Sequence, residues 1–135
     1  MSLFARSYTT KKEIGNYGER IAARYLQLRG YCIRARNYRT GALELDLVAT
    51  RGKSILFVEV KTRSYTAEEL DTAPPPGTAV DFEKQKYTRR AATVYLREHP
   101  TARHPRMDVM EVWLEKRTDG RRPRTLRIRH LKGAY

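Results

Sequence analysis

Apolar and polar positions change period along the chain. Near the start, Ile14, Gly18, Ile21, Ala22, Tyr25 and Leu28 recur at the spacing of one helical face. Gly30 follows where a helix-ending glycine belongs. Gly15 and Gly18 are poor helix formers, which signals either a frayed first turn or a close backbone approach. The period then shortens to two. Tyr31–Tyr38, Leu43–Ala49 and Ser54–Lys61 read as strands, separated by turns at Arg39–Gly41 and Thr50–Lys53. Residues 62–79 form a long connection containing Pro74, Pro75 and Pro76. A second helix is expected over Asp81–Arg97, with Val80, Tyr87, Ala91 and Val94 at helical spacing and Pro100 as its stop. Met107–Leu114 and Thr125–Leu131 are two further strands around a turn at Asp119 and Gly120. This order predicts an α/β domain with a central mixed sheet of about five strands flanked by helices. It spans residues 13–135, after a flexible basic arm over residues 1–12.

Charge narrows the partners. Lys and Arg number 28 against 15 acids, a net +13 on 135 residues. Such an excess points to a polyanion, nucleic acid (DNA or RNA) before an anionic membrane. One cysteine, Cys32, excludes an intrachain disulfide framework and a cysteine-based zinc site, and fits a reducing cytoplasmic compartment. No apolar run approaches the roughly 18 residues of a membrane span, and the first residues lack a signal-peptide core.

The candidate chemistry lies in the second and third strands. Alternation puts Glu44 and Asp46 on one face, with Leu43, Leu45 and Leu47 on the other. Glu59 and Lys61 share a face with Phe57. An isolated Glu-X-Lys is most often a surface ion pair. Here a second acid precedes it by 13 residues in a neighbouring strand, in basic surroundings, which favours a functional site. Asp46 and Glu59, with the Val60 carbonyl, suit a hard cation such as Mg²⁺ or Mn²⁺. Lys61 would orient or help deprotonate a water and stabilise a phosphoryl transition state. Glu19, early in the first helix, is a further ligand, an outer carboxylate or an ordinary helix-start acid.

An acid, about a dozen residues, then Glu-X-Lys, with a glutamate in a preceding helix, resembles the PD-(D/E)XK nuclease superfamily. More closely, the chain resembles the YraN family of small bacterial endonuclease-like proteins. The matching stretches are Gly15–Glu19, Asn37–Arg39, Glu44–Val48, Phe57–Arg63, Ala79–Val80, Lys84–Gln85, Ala91 with Tyr95–Leu96, and Arg106–Val109. The resemblance implies a restriction-endonuclease-like core similar to archaeal Holliday-junction resolvases. It maps Glu19, Asp46, Glu59 and Lys61 onto active-site positions and Glu44 onto a glutamate beside the catalytic aspartate. Two features depart from the family: Leu43 stands where glycine is usual, and the three-proline connection is longer.

The basic surface completes the reading. Lys86, Arg89, Arg90 and Arg97 form one stripe of the second helix, and Lys84 and Gln85 lie in its first turn, where helix amides also favour phosphate. Arg39 and Arg63 flank the acid-bearing strands. The segment from Lys116 to Tyr135 is strongly basic. Tyr17, Tyr38 and Tyr65 are candidates for base stacking, though packing suits each better. His99, His104 and His130 lack metal-ligand spacing, Cys32 reads as a half-buried strand thiol, and Trp113 as core. The expected function is a metal-dependent nuclease or nuclease-like protein. The alternatives are a non-catalytic basic module of the same fold, or an interaction protein that docks on an acidic partner. A homodimer would be natural for a junction cutter, which needs two sites.

Overall fold

The computed structural model describes residues 8–72 and 82–135. The elements are α1 (Lys11–Leu28), β1 (Cys32–Thr40), β2 (Leu43–Arg51), β3 (Ser54–Tyr65), α2 (Phe82–Glu98), β4 (His104–Glu115) and β5 (Thr125–Leu131). Among the described residues the strands form one sheet in sequential order, β1-β2-β3-β4-β5. The β3–β4 pair is parallel and the others are antiparallel. Parallel neighbours need a long crossover, and α2 lies in it. This is the mixed α/β sheet expected, a restriction-endonuclease-like core. Val80, Asp81 and the three prolines lie outside the described residues.

Helix α1 starts earlier than its apolar period suggests. Thr10 and Glu13 form a reciprocal capping box: the Glu13 N–H donates to Thr10 Oγ1 and the Thr10 N–H to Glu13 Oε1. Lys11 and Lys12 therefore belong to the helix and not to an arm. Tyr8 is buried, edge-on to Tyr17. At the other end Gly30 takes a φ of 86°, with N–H bonds from Gly30 to Gln27 and from Tyr31 to Leu26 closing the helix.

The two helices cover opposite faces of the sheet. Ala22, Ala23 and Leu26 of α1 pack on Leu47, Leu56 and Met110. Ala91, Ala92 and Tyr95 of α2 pack on Val48, Ile55 and Phe57. With both faces covered, β3 reads as a nearly continuous apolar run. Two helical positions depart from expectation. Leu28 is 72% exposed, because it lies about 200° round the helix from the buried Leu26. Tyr87 is 49% exposed, and the buried face of α2 is Thr88, Ala91, Ala92 and Tyr95. Cys32 is exposed, not half-buried, since β1 is an edge strand.

A polar knot ties the end of the chain to β4. Asp108, sealed from solvent, accepts two bonds from Arg106 at 2.8 Å, one from the Gly133 N–H at 2.9 Å, and meets His130 Nε2 at 2.6 Å. Among the described residues no helix is long and apolar enough to cross a membrane.

Candidate active site

The site grows from a fork between two strands. β2 and β3 pair from Arg51 and Ser54 to Leu47 and Val58, where the paired register ends. Past that point the Val60 N–H donates to the Asp46 carboxylate at 2.8 Å. A side chain has replaced the next rung of the ladder. Strand geometry sends the Val60 carbonyl to the same edge as its N–H.

Alternation fails at this fork. Leu47 packs with the α1 cluster, whereas Leu45 and Leu43 pack with the α2 cluster. The expectation that Leu43, Leu45 and Leu47 share a face is therefore corrected: β2 turns over as it leaves β3. Asp46, between them, stands where the β2–β3 pairing has ended, and the charges of Glu19 on α1 and Lys84 on α2 couple to it. Asn37 of β1 falls opposite, between the paired residues Arg36–Leu47 and Tyr38–Leu45. Its φ of 49° is left-handed, a region asparagine tolerates better than most side chains. Its side chain acts to lower the pKa of Glu19.

Glu59 is the buried centre, 5% exposed. Its Oε1 lies 2.9 Å from Lys61 Nζ and 2.5 Å from Lys84 Nζ. Its Oε2 is closed to solvent and has no hydrogen-bond donor among the described residues. Burial pushes the Asp46 carboxyl up to about 6; the Val60 N–H opposes this, the Glu59 charge adds to it, and Lys84 and Glu44 act in opposite senses. Burial, then the charges of Asp46 and Glu44, push Glu19 up to about 7, against Asn37 and Arg20. Burial also acts to lower the Lys84 pKa. Its contacts with Glu59 and Lys61 and the charges of Glu59 and Asp46 outweigh that, so its pKa stands above the ordinary value.

These residues fit a divalent cation in a limited way. Asp46, the donorless Glu59 oxygen and the Val60 carbonyl are the hard oxygen donors that Mg²⁺ takes, together with water and phosphate. Among the described residues no three His, Cys, Asp or Glu side chains gather as a ready ligand set. Glu19 lies where its charge couples to those of Asp46 and Glu44.

The other expected residues separate into two groups. Lys84, expected at a phosphate, is drawn to Glu59. Gln85 is half-buried beside it, while Lys86, Arg89 and Arg90 are exposed. Arg63 is exposed on β3, in a cleft with Lys11, Lys61 and Glu19. Arg39 is exposed at the hairpin end, 3.7 Å from Glu44. Part of the basic C-terminal segment is internally paired: Arg129 with the fully buried Glu111 at 2.6 Å, and Arg117 with Asp119 at 2.9 Å. Tyr65 is buried, Tyr38 packs edge-on to Tyr95, and Tyr17 to Tyr8.

Sequence reading missed three contributors. Asn37 was legible only as part of a family stretch. Glu111 lies beside Lys61 in the β3–β4 register. Tyr135 reaches back to Thr88, oxygen to oxygen at 2.6 Å, and no local pattern signals such a return.

Fold and site together define a restriction-endonuclease-like protein whose acids and Glu-X-Lys meet at a strand fork. The model of the uncharacterised protein family UPF0102 matches residues 18–112. A UPF0102 protein of Beutenbergia cavernae is 44% identical over 124 residues, covering 91% of this chain and 96% of that one. One from Caldanaerobacter subterraneus subsp. tengcongensis is 41% identical over 105 residues, covering 77% and 82%. The chain belongs to the UPF0102 family, which is the YraN family.

Proposed function

We propose that the protein is a divalent-metal-dependent nuclease that hydrolyses phosphodiesters of nucleic acid. The observation that carries this reading is the convergence of Asp46, Glu59 and Lys61 at the fork, with a Glu59 oxygen left without a donor. Asp46, Glu59 and the Val60 carbonyl would hold Mg²⁺ or Mn²⁺. When bound, the cation lowers the pKa of a water and offsets phosphate charge. Lys61, anchored on Glu59, would direct its ammonium to the attacking water and to the negative charge developing on the phosphoryl oxygens. Lys84 adds a second positive charge. Glu19, with a pKa of about 7, can take up or release a proton near neutrality. The exposed Lys86, Arg89 and Arg90, with Arg63, would hold the phosphate backbone.

The test is cleavage of single-stranded, duplex, flapped and branched substrates with Mn²⁺ or Mg²⁺. Wild type is expected to cut at least one. Asp46→Asn and Lys61→Ala are expected to abolish cutting while still melting cooperatively. Cutting that persists unchanged in both variants contradicts the assignment.

The second reading is a nucleic-acid-binding module that does not cut. The two ammoniums on Glu59 favour it, because they already neutralise the carboxylate that would have to hold the metal. Metal-independent binding with no cleavage on any substrate would decide for it.

A further inference from the structure

The acid cluster opens into a cavity that the proposed chemistry leaves unused. It has a volume of about 550 Å³, between α2 and the sheet. That lies within the ~300–1,000 Å³ usual for small-ligand pockets. Its apolar wall is formed by Leu43, Leu45, Phe57 and Met107. Facing them are Tyr87, half exposed, and the Thr88 and Tyr135 hydroxyl groups. Asp46, Glu59 and Lys84 belong to the same lining.

We propose that this cavity receives one unpaired nucleobase of the bound strand, so that the protein engages single-stranded or locally opened nucleic acid. The proposal rests on the nucleic-acid reading above.

Electrostatics selects the base over the phosphate. Glu44, Asp46, Glu59 and Glu83 line the cavity, and Lys84 is the one cation among its described lining residues, while Arg39 and Lys61 pair Glu44 and Glu59 from outside that lining. A phosphate inside would face carboxylates on one side and an apolar wall on the other. Outside, Lys86, Arg89 and Arg90 present positive charge along the exposed side of α2. A strand held by those cations keeps its backbone at the rim and can send only its neutral part inward. A flat heterocycle suits what it meets there: an aliphatic floor, an aromatic side chain and the Tyr135 hydroxyl, whose oxygen can still accept while its O–H is held by Thr88.

Position supports the same occupant. Asp46 and Glu59 are both walls of the cavity and members of the acid cluster. A base seated inside would bring its own sugar and phosphate to the half-exposed Lys84, beside the acid cluster. A base stacked and paired in a duplex cannot enter a recess between a helix and a sheet without leaving its stack. Leu43 contributes to the wall, and a glycine there would remove that part of it.

The experiment uses full-length protein in EDTA, so that binding is read without cleavage. The probes are an oligonucleotide carrying one 2-aminopurine, the same oligonucleotide fully paired, and free 2-aminopurine nucleoside monophosphate. The single strand is expected to bind at least tenfold more tightly than the duplex, with a marked change in probe fluorescence. Tyr87→Ala should weaken single-strand binding by about tenfold, the loss of one stacked base, and abolish the fluorescence change. Leu43→Trp, which fills the cavity, should do the same. Both variants should keep the wild-type melting temperature within a few degrees, since Tyr87 is half exposed and the added bulk at Leu43 enters open cavity space. Equal affinity for the duplex with a silent probe, or wild-type behaviour of both variants, overturns the proposal while leaving nucleic-acid binding intact. Free nucleotide binding as tightly as the oligonucleotide overturns it in favour of a nucleotide receptor. No binding of either strand form at low salt overturns the nucleic-acid reading itself.

Discussion

Gly18 of α1 meets Thr62 of β3 so closely that a Cβ on Gly18 would lie 1.9 Å from Thr62 Oγ1 and 2.7 Å from its Cβ. Gly15, one turn earlier, has nothing within 4 Å of that position. The close approach sets the height of α1 over the sheet, and Glu19 is the next residue. Gly18→Ala should therefore destabilise the protein, because overpacking costs about 1–3 kcal/mol against a helix gain of about 1 kcal/mol. Gly15→Ala should have the opposite sign. Urea unfolding of the two variants checks this, and Thr62→Ala should restore part of the Gly18→Ala loss.

On the proposed metal-dependent reading, Lys84 and a divalent cation would compete for Glu59. In EDTA, Lys84→Met should lower stability by about 1 kcal/mol, since a buried carboxylate loses one of its two partners; the half-exposed position of Lys84 keeps the loss small. With Mn²⁺ the same variant should bind metal more tightly than wild type. Asp46→Asn should bind it far less. Calorimetric Mn²⁺ titration checks both, and unaltered affinity in the two variants would remove Glu59 and Asp46 from the metal site.

Asp46 and Glu19 have folded-state pKa values of about 6 and about 7, above ordinary values of 3.8 and 4.5. The folded protein then holds more protons than the unfolded chain between about pH 4 and 7. These two groups therefore withdraw stability as pH rises through that window, and the loss levels off above it. Metal-free Asp46→Asn should lose less stability than wild type between about pH 5 and pH 8, by roughly 1–3 kcal/mol. Denaturant unfolding at both pH values measures it.

Asp108 behaves with the opposite sign. Burial alone would raise its pKa, but His130, Arg106 and the Gly133 N–H hold it down to about 2. Its contribution is complete above the unfolded value near 4 and disappears as pH falls through 2. Asp108→Ala should cost about 3–5 kcal/mol at neutral pH, because Arg106 and His130 lose their partner. Limited proteolysis should then release the segment after β5, which Asp108 anchors through Gly133.

On the proposed nucleic-acid reading, the exposed stripe on α2 should give a salt-dependent binding term. Each of Lys86→Ala, Arg89→Ala and Arg90→Ala should reduce the slope of log affinity against log salt by about 0.7 on single strands. Arg129→Ala should change it less, since that guanidinium is held 2.6 Å from Glu111. Fluorescence anisotropy at several salt concentrations distinguishes the two cases.

Much of this protein follows from local rules. The period of 3.6 marked α1 and α2, and the period of two marked β1 to β5. Gly30 marked the end of α1, and the net charge set the expectation of a polyanionic partner. Asp46, Glu59 and Lys61 stood out because charge in an apolar strand needs a reason. Other features required the folded chain. Which glycine admits a neighbour depends on Thr62, 44 residues away. The reversal between Leu45 and Leu47 depends on where β2 parts from β3, and alternation along one strand carries no record of its partner's path. Lys84 closes on Glu59, and Tyr135 on Thr88, because the crossover and the last strand bring them back. Local sequence determines which groups prefer water and which backbone shapes are cheap; only tertiary packing decides which distant charges must share one buried space.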